Sequence, residues 1–357
     1  MKILRVGDPH AKVGSLDEMK ALVLFVVEQA KLHNVDRIEV LGDLFNTHNV
    51  IRLEVIEFWT WALDLLAATC ETVVLVGNHD QSGDYNSTFS ALSVFALMNK
   101  KNLIIVEKPT QMGVFGYVPY THSSVEFIAS ANVLADGGVK VLICHQTIEG
   151  SKYESGIYAP DGIPAAEWSE RFIHVISGHI HSEQSFGNII YPGTARWDTV
   201  TDANRRKGVW LYTHGSGEVG TRVLHGDEDR SGRSSNLSTP AQVGGSQDGV
   251  IQTALFISTE QVCSPIKSLE WREGDPCPTG WSEYERVTIE LIGSSIWVAG
   301  EKEKLKGKCS IKTKITDKQK GIIRKTGDSF EHFMKELFTS SLNKGDLLKY
   351  AKEIGIV

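Results

Sequence analysis

Short apolar runs alternate with longer helical stretches through the first 225 residues, and the spacing of polar and apolar positions predicts the elements. Residues 3–6, 38–41, 73–76, 103–106, 114–118, 139–144, 173–177 and 209–212 are compact runs rich in Val, Ile and Leu, as buried strands require. Between them, residues 16–32, 53–68 and 88–98 fit helices. Strands interleaved with helices predict a layered α/β domain over residues 1–225. Residues 226–252 are rich in Ser, Gly and charge and almost devoid of large apolar side chains until their last positions, which predicts a flexible linker or loop. Residues 253–357 then read as a small C-terminal α+β region, with strands at 286–291 and 310–315 and helices at 302–306, 330–338 and 346–354. Phe330, Phe333, Met334, Leu337 and Phe338 recur at helical spacing, which predicts the core face of a small C-terminal domain.

Composition narrows the class. A chain of 357 residues with 41% hydrophobic and 23% charged residues is ordinary for a globular protein and is neither fibrous nor disordered. No run approaches the roughly 18 apolar residues that a membrane span needs. The opening MKILRVGDPH meets charge too early for a signal peptide, so a cytoplasmic protein without a membrane anchor is expected. The five cysteines are odd in number and lack CxxC spacing, which predicts free thiols. The net charge of −7 opposes nucleic-acid binding only if it is spread evenly. Residues 302–325 instead carry ten Lys and Arg side chains against Glu303 and Asp317. Lys312, Lys314, Lys318 and Lys320 in that stripe are candidates for contacts with a phosphate backbone, although lysine-rich segments also serve as plain solvated surface.

The chemistry lies directly after the strands. In chain order the polar clusters are Asp8 and His10 in GDPH, Asp43 in LGDLF, Asn78, His79 and Asp80 in VGNHD, His145 in ICHQ, and His179 and His181 in SGHIH. Taken singly, each has a plainer explanation as a turn residue or a strand-end histidine satisfied by backbone. Together, and each behind a strand, they supply the oxygen and imidazole donors that divalent ions of hard or borderline character select, with no thiolate among them. Seven of them suffice for two ions if one carboxylate is shared. Asp43, alone at its strand end, is the best bridge because a carboxylate has two oxygens to offer. Two dications against two carboxylates and a hydroxide leave about one positive charge, which suits a phosphate ester.

The ordered set GDPH, GDLF, GNHD, His145 and GHIH resembles the signature of the calcineurin-like metallophosphoesterases over residues 1–225. That resemblance implies a four-layer α/β/β/α sandwich of two mixed sheets flanked by helices. LGDLF and the YPGTARW segment after GHIH look more narrowly like the SbcD-type nucleases of bacterial and bacteriophage recombination. What this implies is a manganese-dependent DNA exonuclease or endonuclease with two divalent metal ions, working as a homodimer with an SbcC-like ATPase subunit. Carried over by position, Asp8, His10, Asp43 and His181 would hold one ion, and Asp43, Asn78, His145 and His179 the other. His79 would donate the proton to the leaving oxygen, with Asp80 orienting it. Where such nucleases carry His or Asp three residues after the bridge this chain has Asn46, which leaves His48 as a substitute nearby. The resemblance also implies a docking helix for the ATPase at 330–338 and a dimer surface at residues 53–68 and 88–98, against their plainer reading as core. Competing readings are a phosphatase or phosphodiesterase for small esters, and a scaffold that keeps the fold without catalysis.

Overall fold

The computed structural model describes residues 1–48, 50–82, 89–98, 100–217, 222–225, 247–278, 286–306 and 309–316. The chain begins with β1 (Lys2–Val6), α1 (Leu16–His33), β2 (Arg37–Val40), α2 (Leu53–Thr69), β3 (Glu71–Leu75), α3 (Ser93–Ala96) and β4 (Leu103–Val106). Next come β5 (Thr110–Met112), β6 (Phe115–Val118), α4 (Ser124–Asp136), β7 (Val141–His145), β8 (His174–Gly178), β9 (Gln184–Phe186) and β10 (Ile189–Tyr191). They are followed by β11 (Gly208–Gly217), β12 (Arg222–His225), β13 (Gln247–Ser258), β14 (Ile266–Arg272), β15 (Arg286–Gly293), α5 (Ser295–Leu305) and β16 (Ser310–Ile315).

Two mixed sheets make the body of the first unit. One runs β12-β13-β11-β1-β2-β3-β4 and the other β5-β6-β7-β8-β10-β9. Ile3, Val73, Leu75 and Tyr212 from the first and Phe115, Tyr117, Ile143 and Ile176 from the second form one apolar layer between them. Strands buried on both faces explain why these segments are predominantly apolar, and the buried charges Arg5 and Glu39 pair at 2.7 Å. The outer face of the first sheet is covered by α1 and α2, whose Leu22, Val26, Phe58, Trp59 and Leu66 pack into a second layer of core. In α2 the buried residues Val55, Phe58, Trp59, Ala62, Leu63 and Leu66 recur at i, i+3, i+4, i+7, i+8 and i+11, a single apolar stripe. The outer face of the second sheet carries Phe127, Ala131 and Leu134 of α4 together with Trp168 and Phe172. The result is the four-layer α/β/β/α sandwich that the motifs imply.

Three departures from the sequence pattern have physical causes. The helix expected at 88–98 is a single turn, α3, because Ser90 turns its hydroxyl onto the Leu92 N–H at 3.0 Å and competes with helical pairing. Helix α4 is missing from the sequence pattern, although the Ser123 hydroxyl caps the Glu126 N–H at its start. Strand β13 begins inside the expected linker and pairs antiparallel with β11, so the first compact unit runs through Lys267, beyond the boundary read at 253. Its Val250, Ile251, Ala254 and Phe256 are buried, which draws the segment into the sheet. Most of residues 226–252 lies outside the described residues.

The second unit comprises Ser268–Glu283 and Val287–Val357. Its sheet is β14-β15-β16, with Trp271, Ile289, Leu291, Val298 and Leu305 as its core. Helix α5 starts earlier than the expected 302–306, where the Ser294 hydroxyl accepts from the Trp297 N–H. The helices expected at 330–338 and 346–354 lie outside the described residues, as do Lys318 and Lys320. Cys70, Cys144, Cys263 and Cys277 are free thiols. Among the described residues no helix is long and apolar enough to cross a membrane.

Candidate metal centre

Strands β1, β2 and β3 run parallel in one sheet, and β7 and β8 run parallel in the other. Their carboxyl ends therefore open together at one edge of the sandwich, where α/β sheets place ligand sites. The loops after them carry Asp8 and His10, Asp43, Asn78 and His79, and His179 and His181, while His145 closes β7 itself. The turns are tight enough that Asp8, His10, Asp43 and His179 all have positive φ, at 26°, 46°, 54° and 80°. Four side chains of one site held in a conformation that L-residues avoid is strain of the kind stored at functional sites. A glycine precedes several of them for steric reasons. A Cβ on Gly77 would stand 2.2 Å from Asp43 Oδ1, and one on Gly178 would stand 2.7 Å from Asp8 Oδ1.

Three groups of possible ligands form here, Asp8 with His10 and His181, His10 with Asp43 and His79, and Asp43 with His145 and His179. Asp43 Oδ2 stands 3.5 Å from His10 Nε2 and 3.4 Å from His145 Nε2, facing both sides of the site. Its Oδ1 accepts the His79 N–H at 2.8 Å. Oδ2 is thus the Asp43 oxygen that faces both ligand groups, and Oδ1 is turned to the backbone of the third ligand loop. Asn78 Oδ1 lies 2.7 Å from His179 Nδ1 and 3.0 Å from His145 Nε2, which places it in the second half of the site.

The ring orientations test whether cations fit. His10 Nδ1 meets the Phe45 carbonyl at 3.3 Å, and His145 Nδ1 meets the Leu41 carbonyl at 2.7 Å. A carbonyl only accepts, so each of these nitrogens carries a proton and each Nε2 is left to face the site. His10 Nε2 then faces His181 Nε2 at 3.0 Å, and His145 Nε2 faces the oxygens of Asp43 and Asn78. Asp8 Oδ1 is buried with no hydrogen-bond partner, while its Oδ2 accepts the His179 N–H at 2.7 Å. Imidazole nitrogens and carboxylate and amide oxygens crowded this closely, with Asp8 Oδ1 left unsatisfied, are what a divalent cation satisfies, and the donor set fits.

Protonation behaviour agrees with that geometry. Burial opposes charge on His145, yet Asp43 and Asp8 push its imidazole up to about 10, so the acceptors draw a proton onto the ring. Burial takes His10 and His179 down to about 3, leaving both rings neutral as ligands must be. Asp43 is held below the usual carboxylate range by His145 and His10 in spite of its burial. Burial pushes Asp8 up to about 6.

His79 sits at the rim. Its Nδ1 is 3.1 Å from the Asn46 carbonyl, which leaves Nε2 for the site, and its ring lies edge-on to His10 with centroids 4.7 Å apart. Asn46 thus serves through its backbone. His48 stacks on His79 at 4.1 Å between centroids, with its Nδ1 2.9 Å from the Asn78 carbonyl. Asp80 does not orient the His79 ring, contrary to the expectation from sequence. Both its oxygens accept backbone N–H groups, from Phe45 at 3.1 Å and Gly77 at 2.9 Å, and so tie the second and third ligand loops together. Desolvation in that position, with Asp43 beside it, raises its carboxyl to about 7.

Further residues that the motifs did not flag hold the loops. Arg196, fully buried, donates to the Pro9 and His10 carbonyls at 2.8 and 3.0 Å and fixes the first loop. Trp59 donates from α2 to the Leu44 carbonyl at 3.1 Å, beside Asp43. Tyr120 stacks on His179 with centroids 5.9 Å apart. Each reaches over a long sequence separation, and although Arg196 falls in the YPGTARW segment, its role in fixing the first loop shows only in the fold. Of the lysine candidates, Lys312 and Lys314 are exposed on β16, the edge strand of the second unit, and side chains two apart on a strand share a face. Lys304 and Lys306 are paired with Glu301 and Glu303, at 2.7 and 3.3 Å, so the basic stripe is partly neutralised.

The fold and the cradle define a class, the phosphoester hydrolases that work with two divalent cations. Residues 1–183 match the family model of the calcineurin-like phosphoesterases, and the chain belongs to that family. It is 29% identical over 201 residues to protein 244L of Invertebrate iridescent virus 6, which bears a provisional phosphoesterase name. That match covers 54% of this chain and 69% of the viral protein. Protein 078R of Invertebrate iridescent virus 3, with the same provisional name, is 30% identical over 55% of this chain and 57% of its own length. Exonuclease subunit 1 of Enterobacteria phage T4 is 25% identical over 230 residues, 59% of this chain and 64% of that protein. The chain thus spans between 57% and 69% of the length of these relatives.

Proposed function

We propose that the chain is a manganese-dependent nuclease that hydrolyses phosphodiester bonds of DNA, as an exonuclease or endonuclease of recombination and repair. The observation that carries the reading is the convergence of imidazole nitrogens on a shared Asp43 oxygen with His79 at the rim. The likeness to a phage exonuclease subunit favours DNA over small esters. Asp8, His10, Asp43 and His181 would hold one ion, and Asp43, Asn78, His145 and His179 the other. When bound, such a pair supplies charge neutralisation for a phosphoryl group and an acidified water as nucleophile. His79, with Nδ1 committed to the Asn46 carbonyl, holds its mobile proton at Nε2 and delivers it to the leaving oxygen. Burial lowers its basicity, and the anionic substrate beside it favours the protonated ring. The intact donor set argues against a scaffold that has given up catalysis.

An SbcC-like ATPase subunit and a second copy of the chain are the partners proposed. Val55, Phe58, Trp59, Ala62, Leu92 and Phe95 are core, so a dimer surface at 53–68 and 88–98 has to use other side chains, such as the exposed Leu53, Phe89 and Leu97. End-labelled duplex and single-stranded DNA, incubated with manganese, magnesium or chelator, test the activity. Manganese-dependent cleavage is expected, and hydrolysis of nitrophenyl phosphate without any DNA cleavage would assign the site to small esters. The lysines make a separate prediction. Replacing Lys312 and Lys314 together by Ala weakens duplex binding and reduces the log–log salt slope by about 2, as loss of two phosphate contacts requires. An unchanged slope in filter binding between low and moderate salt would make them plain surface.

A further inference from the structure

His181 has a polar neighbour at each ring nitrogen, at its backbone N–H and at its carbonyl. Its Nε2 faces His10 Nε2 in the cradle at 3.0 Å, and its Nδ1 faces Asp202 Oδ1 at 3.6 Å. Its N–H donates to Glu154 Oε1 at 2.8 Å, and its carbonyl accepts from Lys207 Nζ at 2.7 Å. Lys207 is buried, and its three N–H donors go to His181 O, Thr194 Oγ1 and Asp202 Oδ1, the last two both at 2.6 Å. An ammonium so placed has no donor left for solvent or substrate. Asp202 is equally committed. Its Oδ2 accepts the N–H groups of Asp198 and Thr199 at 3.1 and 2.9 Å, which turns Oδ1 toward Lys207 and His181.

A buried Lys and Asp cost desolvation that an apolar pair of similar size would avoid, so burying them here calls for a reason beyond stability. The reason is orientation. Histidines that ligate metals are commonly held by a carboxylate on the other ring nitrogen, which fixes the tautomer. We infer that Asp202, Lys207 and Glu154 are positioning residues that hold the His181 ring and backbone so that Nε2 points into the cradle before any cation arrives. The inference rests on the two-cation reading and concerns only the half of the site formed by Asp8, His10 and His181. The other half has no part in it, since His145 is held by a backbone carbonyl instead.

The test is manganese binding by the chelator-stripped full chain, followed by calorimetry, together with nitrogen NMR of the His181 ring in the metal-free protein. Asp202→Asn should weaken one of two manganese sites by about 10- to 100-fold and leave the other within about twofold. The ring should change from the single Nδ1–H tautomer to a mixture. Asp202→Glu should recover part of the affinity, which a general packing defect would not allow. Lys207→Met leaves the N–H bonds to Asp202 Oδ2 in place and should weaken the same site, so it decides the matter should Asp202→Asn fail to fold. Two manganese ions bound with wild-type affinity by the folded variants, and an unchanged tautomer, overturn the inference while sparing the two-cation reading. A wild-type chain that binds no manganese overturns that reading, and the inference with it.

Discussion

Asp43→Asn abolishes activity by removing cation binding on both sides of the site at once. Its Oδ2 faces His10 and His145 at 3.5 and 3.4 Å, so this one carboxylate stands against both ligand groups. Each ion should be weakened by more than the roughly 10- to 100-fold that loss of an outer-sphere contact costs, because a charged ligand itself is lost. The fold should survive. The amide retains a carbonyl oxygen to accept the His79 N–H that Oδ1 now holds at 2.8 Å, and the metal-free protein is relieved of a buried anion. Equilibrium dialysis against manganese checks this, with near-ultraviolet circular dichroism to confirm packing. A variant that keeps one ion at native affinity would show that Asp43 serves one side alone.

The second large effect separates proton transfer from cation binding. With alanine in place of His79, turnover on DNA should fall by about 10²- to 10⁴-fold, the range that a general acid supplies. Both manganese ions should remain. The loss should depend on the leaving group, because nitrophenolate departs without a proton and a sugar alkoxide does not. Hydrolysis of bis-nitrophenyl phosphate should therefore drop far less than cleavage of DNA. Equal losses on the two substrates would move His79 from acid to ligand, a role its place beside His10 and Asp43 makes chemically open.

The ligands were legible because each is a local event. Gly-Asp, Gly-Asn-His and Gly-His-x-His follow apolar runs, and a strand that ends at a sheet edge must deliver its next side chains there. The strands of both sheets were legible for a related reason, since burial on two faces keeps β1, β2, β3, β7 and β8 predominantly apolar, and Arg5 and Glu39 inside β1 and β2 pair with each other at 2.7 Å. What escaped depends on tertiary contacts. Strand β13 carries Gln252 and Thr253 amid its buried residues, and its place is set by pairing with β11. Helix α4 buries only Phe127, Ala131 and Leu134, a stripe too thin to stand out. Asp80 was placed by its neighbour in sequence, His79, whereas its partners Phe45 and Gly77 come from two loops. Arg196, Asp202 and Lys207 look like ordinary charged residues until the fold buries them.

The central claim is a cradle for a pair of cations, and counting them tests it most directly. Chelator-stripped protein dialysed against manganese and assayed by atomic emission should hold two ions per chain. A stoichiometry of one or none, in protein shown to be folded, would contradict it.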